Sequence, residues 1–245
     1  MRQAGVQTIG KELILGLVPL FGLLAGMALL GLLTAVAATV AVGLYLLTGG
    51  LLIARSTAVP PGFGWANRVT LLRAIIVVVL AAALFMPGLY VGGSWLVAAL
   101  AGVALALDGV DGRLARYLDQ VSDFGARFDM EVDAALILVL CVGLVAGGIV
   151  GVWVVLIGLM RYFFLMGMVF WPWLSAPLPA SFRRQLICVW QVASLMIAML
   201  PITPGWLVLT GLVGALVLLV ISFAIDVRWL WRQQNHRPPN PWSLS

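Results

Sequence analysis

The sequence contains very few charged residues. Only 23 of its 245 residues are charged, 14 basic and 9 acidic, whereas a soluble domain that is about 25% charged would carry roughly 61. Hydrophobic residues make up 63% of the chain and the mean hydropathy is +1.14. Because this composition leaves too little polar surface to face water, it excludes a soluble globule and predicts a protein of the lipid bilayer.

Lysine, histidine and cysteine are also scarce. The chain has a single lysine, and its arginines are scattered between apolar runs, so they form no basic face that would bind nucleic acid despite a pI near 9.9. Cys141 and Cys188 lie within apolar runs and are expected to be small buried hydrophobic residues. His236 is the only histidine.

Long uncharged runs take the place of the missing charge. Each run is compared with the roughly 20 residues that a membrane helix needs. Residues 13–54 and 185–225 are each long enough for two helices, and glycine and proline residues divide the remaining runs. The sequence predicts an all-α polytopic transmembrane bundle of eight helices, in which a core of six follows two N-terminal helices that turn near Gly31.

The positive charges indicate which side of the membrane the ends occupy. Thirteen of the 14 basic residues lie in or beside the segments on one side, and the turns on the other side contain none. The positive-inside rule then places both termini in the cytoplasm.

The nine acidic residues are unevenly distributed. Seven fall within the 26 residues from 108 to 133: Asp108, Asp111, Asp119, Asp123, Asp129, Glu131 and Asp133. The apolar stretches before and after this segment contain 14 residues each, about 21 Å of helix, which is too short to cross a hydrocarbon core of about 30 Å. The membrane helices must therefore include residues of the acidic segment.

Four aspartates are expected to meet between two antiparallel helices. Asp108 and Asp111 are three residues apart, and Asp129 and Asp133 are four apart, so each pair shares a helix face. Such a cluster requires protonation or cations. Because the segment carries seven acids and three arginines, two divalent ions would balance it. Oxygen ligands favour Mg²⁺ or Mn²⁺. For Asp119 and Asp123, a solvated loop is the favoured interpretation.

The acidic segment also carries a spaced motif. It runs Asp108-x-x-Asp111-Gly112-x-x-Ala115-Arg116, then eight residues, then Gly125-x-x-x-Asp129-x-x-x-Asp133. It resembles the signature of the CDP-alcohol phosphatidyltransferase family at all eight of these positions. A weaker similarity is the pattern of Asn67, Thr70 and Arg73 at the start of the first core helix.

The resemblance implies an integral-membrane transferase of phospholipid biosynthesis. Such enzymes transfer a phosphatidyl group from CDP-diacylglycerol to an alcohol acceptor and release CMP. Carried over by position, Asp108, Asp111, Asp129 and Asp133 would bind two ions of Mg²⁺ or Mn²⁺, and Asp133 would also be the catalytic base. The expected nucleotide-binding residues are Gly112, Ala115, Arg116, Gly125, Thr70 and Arg73.

Three further arginines are candidates for binding the acceptor. Arg161 lies near the middle of a predicted span, where a charge is costly and commonly functional, so we expect it to contact the acidic residues or an anionic acceptor. Arg183 and Arg184, at the inner start of a helix, would bind an acceptor phosphate or anionic lipid.

The sequence leaves two other activities open. Within the same family, a CDP-linked small alcohol would be transferred to diacylglycerol, which the motif does not distinguish from the first reaction. Acidic residues inside a membrane also occur in cation-coupled transporters. Their concentration in one helical hairpin argues for the enzyme.

The expected organisation has three parts. Residues 1–60 form a two-helix membrane extension, residues 61–232 form the six-helix core, and residues 233–245 form a disordered cytoplasmic tail. The expected location is a bacterial inner membrane with a cytoplasmic active site, and the resemblance implies a homodimer.

Overall fold

The predicted helical bundle is confirmed by a computed structural model, which describes residues 2–54, 63–117, 122–176 and 181–235. The side chains of residues 2–4, 111–116 and 234–235 lie outside the described part. Within these ranges the chain forms eight α-helices and no strand. The helices are α1 (Arg2–Leu29), α2 (Ala35–Ala54), α3 (Trp65–Ala82), α4 (Trp95–Tyr117), α5 (Asp123–Ala146), α6 (Val155–Phe170), α7 (Phe182–Ala198) and α8 (Gly205–Asn235).

Within the part of the chain that the structure describes, five helical segments are long and apolar enough to cross a membrane. They are Gly5–Leu29, Ala35–Ala54, Trp65–Phe85, Val152–Phe170 and Gly205–Gln233. In α4 the apolar part whose side chains are described, Trp95–Val110, is shorter. Helices suit a bilayer because they satisfy their backbone hydrogen bonds internally.

The most buried of these segments is the one that contains α3. It packs against α1, α2, α4 and α5, and 67% of its most apolar 18-residue window is buried, compared with 17–28% for the other four spans. Its run from Ala74 to Leu80 is apolar on every face, which is typical of a helix surrounded by other helices. The start of α3 therefore lies where several helices converge.

The turns at the ends of the helices agree with the glycine signals. The turn between α1 and α2 contains Gly31 at φ +70°, as predicted. The turn before α4 contacts the turn after α7, where the backbone N–H of Ser94 donates to the carbonyl of Met199 over 2.7 Å. A Cβ on Gly93 would lie 2.7 Å from the same carbonyl oxygen. This close approach sets α4 and α7 at a common level.

The sequence predicts that the six-helix core begins after residue 60 and ends at residue 232. Both boundaries fall at or near residues that the structure does not describe. The boundary at residue 60 lies outside the described ranges and remains a prediction. Helix α8 continues to Asn235, so the structure extends the helix three residues beyond the predicted end of the core at 232. Residues 236–245 lie outside the described part.

The N-terminal extension is attached to the core by a charged pair. Glu12 on α1 accepts hydrogen bonds from Arg68 on α3, with Nη2 to Oε1 at 2.7 Å and Nε to Oε2 at 3.0 Å. The Glu12 side chain is only 10% exposed and that of Arg68 is 41% exposed. The Tyr45 hydroxyl on α2 donates to the carbonyl of Leu13 over 2.6 Å, which joins α2 to α1. The extension is therefore packed onto α3 rather than separate from it.

Removing the charge of Glu12 is expected to weaken the attachment of the extension. Glu12→Gln leaves Arg68 without its ionic partner, and a hydrogen bond to a charged group contributes about 1.5–3 kcal/mol. We expect a lower thermal midpoint in detergent micelles. Thr39→Val is the control, because the Thr39 hydroxyl donates to the Ala35 carbonyl within its own helix. Equal midpoints for the two variants would show that the pair does not stabilise the interface.

Candidate metal centre and active site

Three of the four predicted metal-binding aspartates come together. Asp108 is on α4, and Asp129 and Asp133 are one turn apart on α5. One carboxylate oxygen from each lies within 4.8 Å of the other two. The three side chains are 32–36% exposed, and the partly accessible site that they form is called the recess. The predicted convergence of the two acidic helices at one level is therefore found for these three residues.

Arg73 on α3 contacts all three aspartates of this cluster. Its Nη1 lies 3.0 Å from Asp108 Oδ1 and 2.5 Å from Asp129 Oδ1, and its Nη2 donates to Asp133. The Arg73 side chain is 1% exposed. Three carboxylates and one guanidinium leave a net charge of −2, so most of the negative charge remains for a ligand to neutralise. The sequence pattern predicts that Arg73 binds the nucleotide. The contacts of Arg73 with all three aspartates were not predicted from the sequence.

The donor atoms of the cluster fit a hard divalent cation. All three are carboxylate oxygens, the ligands that Mg²⁺ and Mn²⁺ prefer. Among the described residues, no histidine or cysteine belongs to this group. Because Arg73 uses the same oxygens, a bound cation and the guanidinium would share or compete for them. Mutual repulsion among the carboxylates favours the arrangement with more positive charge.

The start of α5 packs closely against the start of α3. Ser122 caps α5, where its hydroxyl accepts from the Gly125 N–H over 3.1 Å. A Cβ on Gly125 would lie 2.6 Å from Asn67 Oδ1. Asn67 is buried and donates to the Phe63 carbonyl over 2.6 Å, and Thr70, one turn later, is also buried and donates to the Ala66 carbonyl. The absence of a side chain at position 125 allows this contact.

Adding a methyl group at position 125 is expected to separate the two helices. Gly125→Ala places a carbon against Asn67, and overpacking of this kind typically costs about 1–3 kcal/mol. We expect a lower thermal midpoint and lower divalent-cation affinity. Gly43→Ala is the control, because a Cβ there has no other atom within 4 Å.

A second substitution separates this steric effect from others. Asn67→Ala removes the atoms that the new methyl group meets, so the double variant should lose less stability than the two single effects added together. Additive effects would contradict a direct clash.

The other motif residues lie at the end of α4. The backbone of Asp111, Gly112, Ala115 and Arg116 continues the helix to Tyr117, but their side chains lie outside the described part. Their predicted roles in metal and nucleotide binding remain predictions. Asp119 lies outside the described residues, whereas Asp123 is the exposed first residue of α5. A loop position for Asp123 is therefore wrong, although its contact with solvent is as expected.

The predicted acceptor-binding arginines are paired with carboxylates away from the three clustered aspartates. Arg161 Nη2 on α6 lies 3.1 Å from Glu131 Oε1. Arg183 and Arg184 on α7 both contact Asp226 on α8, at 2.6 and 3.5 Å. Arg161 therefore contacts the acidic segment, but at Glu131. Whether these residues bind an acceptor stays a prediction.

Helix α7 packs against α4 and α5, the helices that carry the three aspartates. Cys188 is exposed, contrary to the expectation that it is buried, whereas Cys141 is buried as expected. Cys188 lies within electrostatic range of Asp108, Asp129 and Asp133. Arg184 is one helical turn before Cys188 and therefore shares its side of α7. No sequence signal identified this side, because Cys188 lies in an apolar run.

One family model matches most of the chain. The model described as CDP-alcohol phosphatidyltransferase matches residues 63–227, which contain α3 to α7 and most of α8. The match begins after the N-terminal extension. No curated protein and no solved structure matches the chain significantly.

Proposed function

Because the chain belongs to the CDP-alcohol phosphatidyltransferase family, whose members are integral-membrane transferases of phosphate-containing groups, we propose that it transfers a phosphatidyl group from CDP-diacylglycerol to an alcohol acceptor. CMP is the other product. The observation that carries the proposal is the convergence of Asp108, Asp129 and Asp133 from two helices in an accessible recess. This recess lies within the part of the chain that the family model matches.

The proposed metal ligands are Asp108, Asp111, Asp129 and Asp133, which would hold two ions of Mg²⁺ or Mn²⁺. Bound ions would supply positive charge to the diphosphate oxygens and to the leaving CMP. The residual charge of the cluster and its oxygen donors support this proposal. Arg73 would then remain beside the phosphate-binding region as a fixed donor, since its burial prevents it from moving into solvent.

The reaction needs one proton transfer that this chain can perform. The acceptor hydroxyl oxygen forms a bond to the phosphorus of the phosphatidyl group, and the bond from that phosphorus to the CMP oxygen breaks. Asp133 takes the hydroxyl proton, and CMP leaves with the bonding electron pair. A positioned carboxylate contributes about 10²–10⁴-fold to such a step.

The remaining motif residues would bind the cytidine diphosphate. Gly112 and Ala115 offer little side-chain volume at the end of α4, and Arg116 supplies a forked donor for a phosphate. Gly125 and Thr70 lie at the facing ends of α5 and α3. We propose that Arg184 is the acceptor ligand nearest the reaction, because it shares the side of α7 that carries Cys188. Arg183 and Arg161 would then adjust the local charge through Asp226 and Glu131.

The proposed orientation places the recess at the cytoplasmic face of a bacterial inner membrane. The start of α3, the end of α4 and the start of α5 meet at the recess, and the segments on this side carry nearly all of the basic residues. Positive charge at this face attracts an anionic lipid substrate.

The activity is tested with the purified full chain in lipid nanodiscs. CMP release from CDP-diacylglycerol is measured with Mg²⁺ or Mn²⁺ and with glycerol 3-phosphate, serine, inositol phosphate or ethanolamine as the acceptor. We expect release with one acceptor class and loss of activity in EDTA. A parallel reaction combines CDP-linked small alcohols with diacylglycerol.

Each alternative gives a different result. Activity only in the parallel reaction would reverse the roles of donor and acceptor. No CMP release with any pair, together with cation flux into liposomes, would replace the enzyme by a transporter.

A further inference from the structure

A large apolar groove lies between the extension and the core. It has a volume of about 720 Å³, within the range of sites that bind drug-sized ligands. Its walls are formed by α2, α3 and α5, and its lining includes Leu47, Leu51, Ala81, Ala135 and Val139. Because α2 precedes residue 63, where the family match begins, one wall of the groove is an addition to the family core.

The groove and the aspartate cluster lie on different faces of α5. Asp123, Arg127 and Glu131 line the groove at intervals of four residues, whereas Asp129 and Asp133 belong to the cluster. Residues two apart on a helix are separated by about 200° around its axis. The body of α5 therefore separates a ligand in the groove from the reacting phosphate.

One end of the groove is charged and the remainder is apolar. Among the described residues, no ion pair involves Asp123 or Arg127, whose side chains are exposed, while Glu131 is paired with Arg161. The four charges of Asp123, Arg127, Glu131 and Arg161 add to zero. A purely anionic headgroup would meet two carboxylates there, but a headgroup that carries one charge of each sign finds a partner for both.

We propose that this groove binds an acyl chain of a bilayer phospholipid whose headgroup contains a phosphate and a primary ammonium group. The phosphate contacts Arg127, and the ammonium contacts Asp123, one helical turn earlier on α5. The acyl chain fills the space between the apolar walls. Without it, α2 would pack poorly against α3 and α5. The bound lipid joins the extension to the core and is distinct from the substrate.

The first test measures lipid binding to the full chain by native mass spectrometry. Protein delipidated in detergent is titrated with phosphatidylethanolamine, phosphatidylcholine or phosphatidylglycerol. We expect tightest binding of phosphatidylethanolamine, because only its headgroup offers a phosphate together with N–H donors for the carboxylates. Equal affinity for the three lipids would overturn the proposed headgroup site.

The second test fills the groove. The double variant Ala81→Leu/Ala135→Leu should bind phosphatidylethanolamine about tenfold more weakly, the change expected when about two buried methylenes are displaced. Ala224→Leu is the matched control, because Ala224 is an exposed residue of α8. An unchanged affinity in the filled variant would place the lipid elsewhere.

The third test uses an exposed position, so it does not depend on repacking. Asp123→Asn should remove most of the preference for phosphatidylethanolamine over phosphatidylglycerol, because the ammonium group loses its carboxylate partner while the phosphate, which both lipids carry, keeps Arg127. Retention of that preference would contradict the proposal. Displacement of phosphatidylethanolamine by an equal amount of CDP-diacylglycerol would also overturn it, since the groove would then hold the donor's own chain.

Discussion

Replacing Asp133 by asparagine is expected to abolish CMP release. The amide retains the size of the side chain and an acceptor for Arg73, but it cannot take a proton and binds a cation poorly. The loss of a general base alone lowers a rate by about 10²–10⁴-fold. The measurement is CMP release from CDP-diacylglycerol, with the thermal midpoint recorded for the same preparation. Near-normal activity would remove Asp133 from its role as base.

The variant Asp129→Asn separates a base from a ligand. Both aspartates belong to the cluster and both contact Arg73, but only Asp133 is proposed to accept the proton. Raising the Mn²⁺ concentration should therefore restore much of the activity of Asp129→Asn and little of that of Asp133→Asn. Equal restoration would indicate that the two residues serve only as ligands.

Replacing Arg73 by methionine is expected to make the stability of the protein depend on divalent cations. The substitution leaves Asp108, Asp129 and Asp133 without their buried counter-ion, and a hydrogen bond to a charged group contributes about 1.5–3 kcal/mol. We expect a large decrease in the thermal midpoint in EDTA. Mg²⁺ or Mn²⁺ should raise the midpoint of the variant more than that of the unmodified chain, because the cation replaces the lost positive charge.

The same substitution at Arg68 is the control for this prediction. Arg68 is on the same helix and is also paired with an acid, but its partner is Glu12 in the extension. Arg68→Met should lower the midpoint by an amount that divalent cations do not change. A similar response of both variants to Mn²⁺ would mean that the cation acts away from the aspartates.

Much of the fold can be predicted because the bilayer restricts it strongly. The number of helices and the turn at Gly31 follow from the uncharged runs and from the length that a spanning helix needs. Helical spacing alone puts Asp129 and Asp133 on one face of α5. The equal lengths of the apolar runs beside Asp108 and Asp133 also predict that these two residues lie at the same depth in the membrane.

The pairing of the arginines was much harder to predict. Arg73, Arg68 and Arg161 each contact an acid 30 or more positions away in the chain, and periodicity within one helix contains no information about which helices are neighbours. Cys188 illustrates the same limit, because an apolar run does not reveal which of its faces turns towards a polar recess. These positions depend on the way α3, α6 and α7 pack against α5.

The sequence by itself determined that the protein lies in a bilayer, that it is helical and which residues form the motif. The scarcity of charge and the local spacing of residues are properties of the chain alone. The tertiary structure decided that Arg73 shares the cluster with three aspartates and that Glu12 holds the extension against α3. It also decided that α2 completes a groove behind α5. These features arise between helices distant in the chain, where packing and electrostatic pairing select one arrangement from many that the local pattern permits.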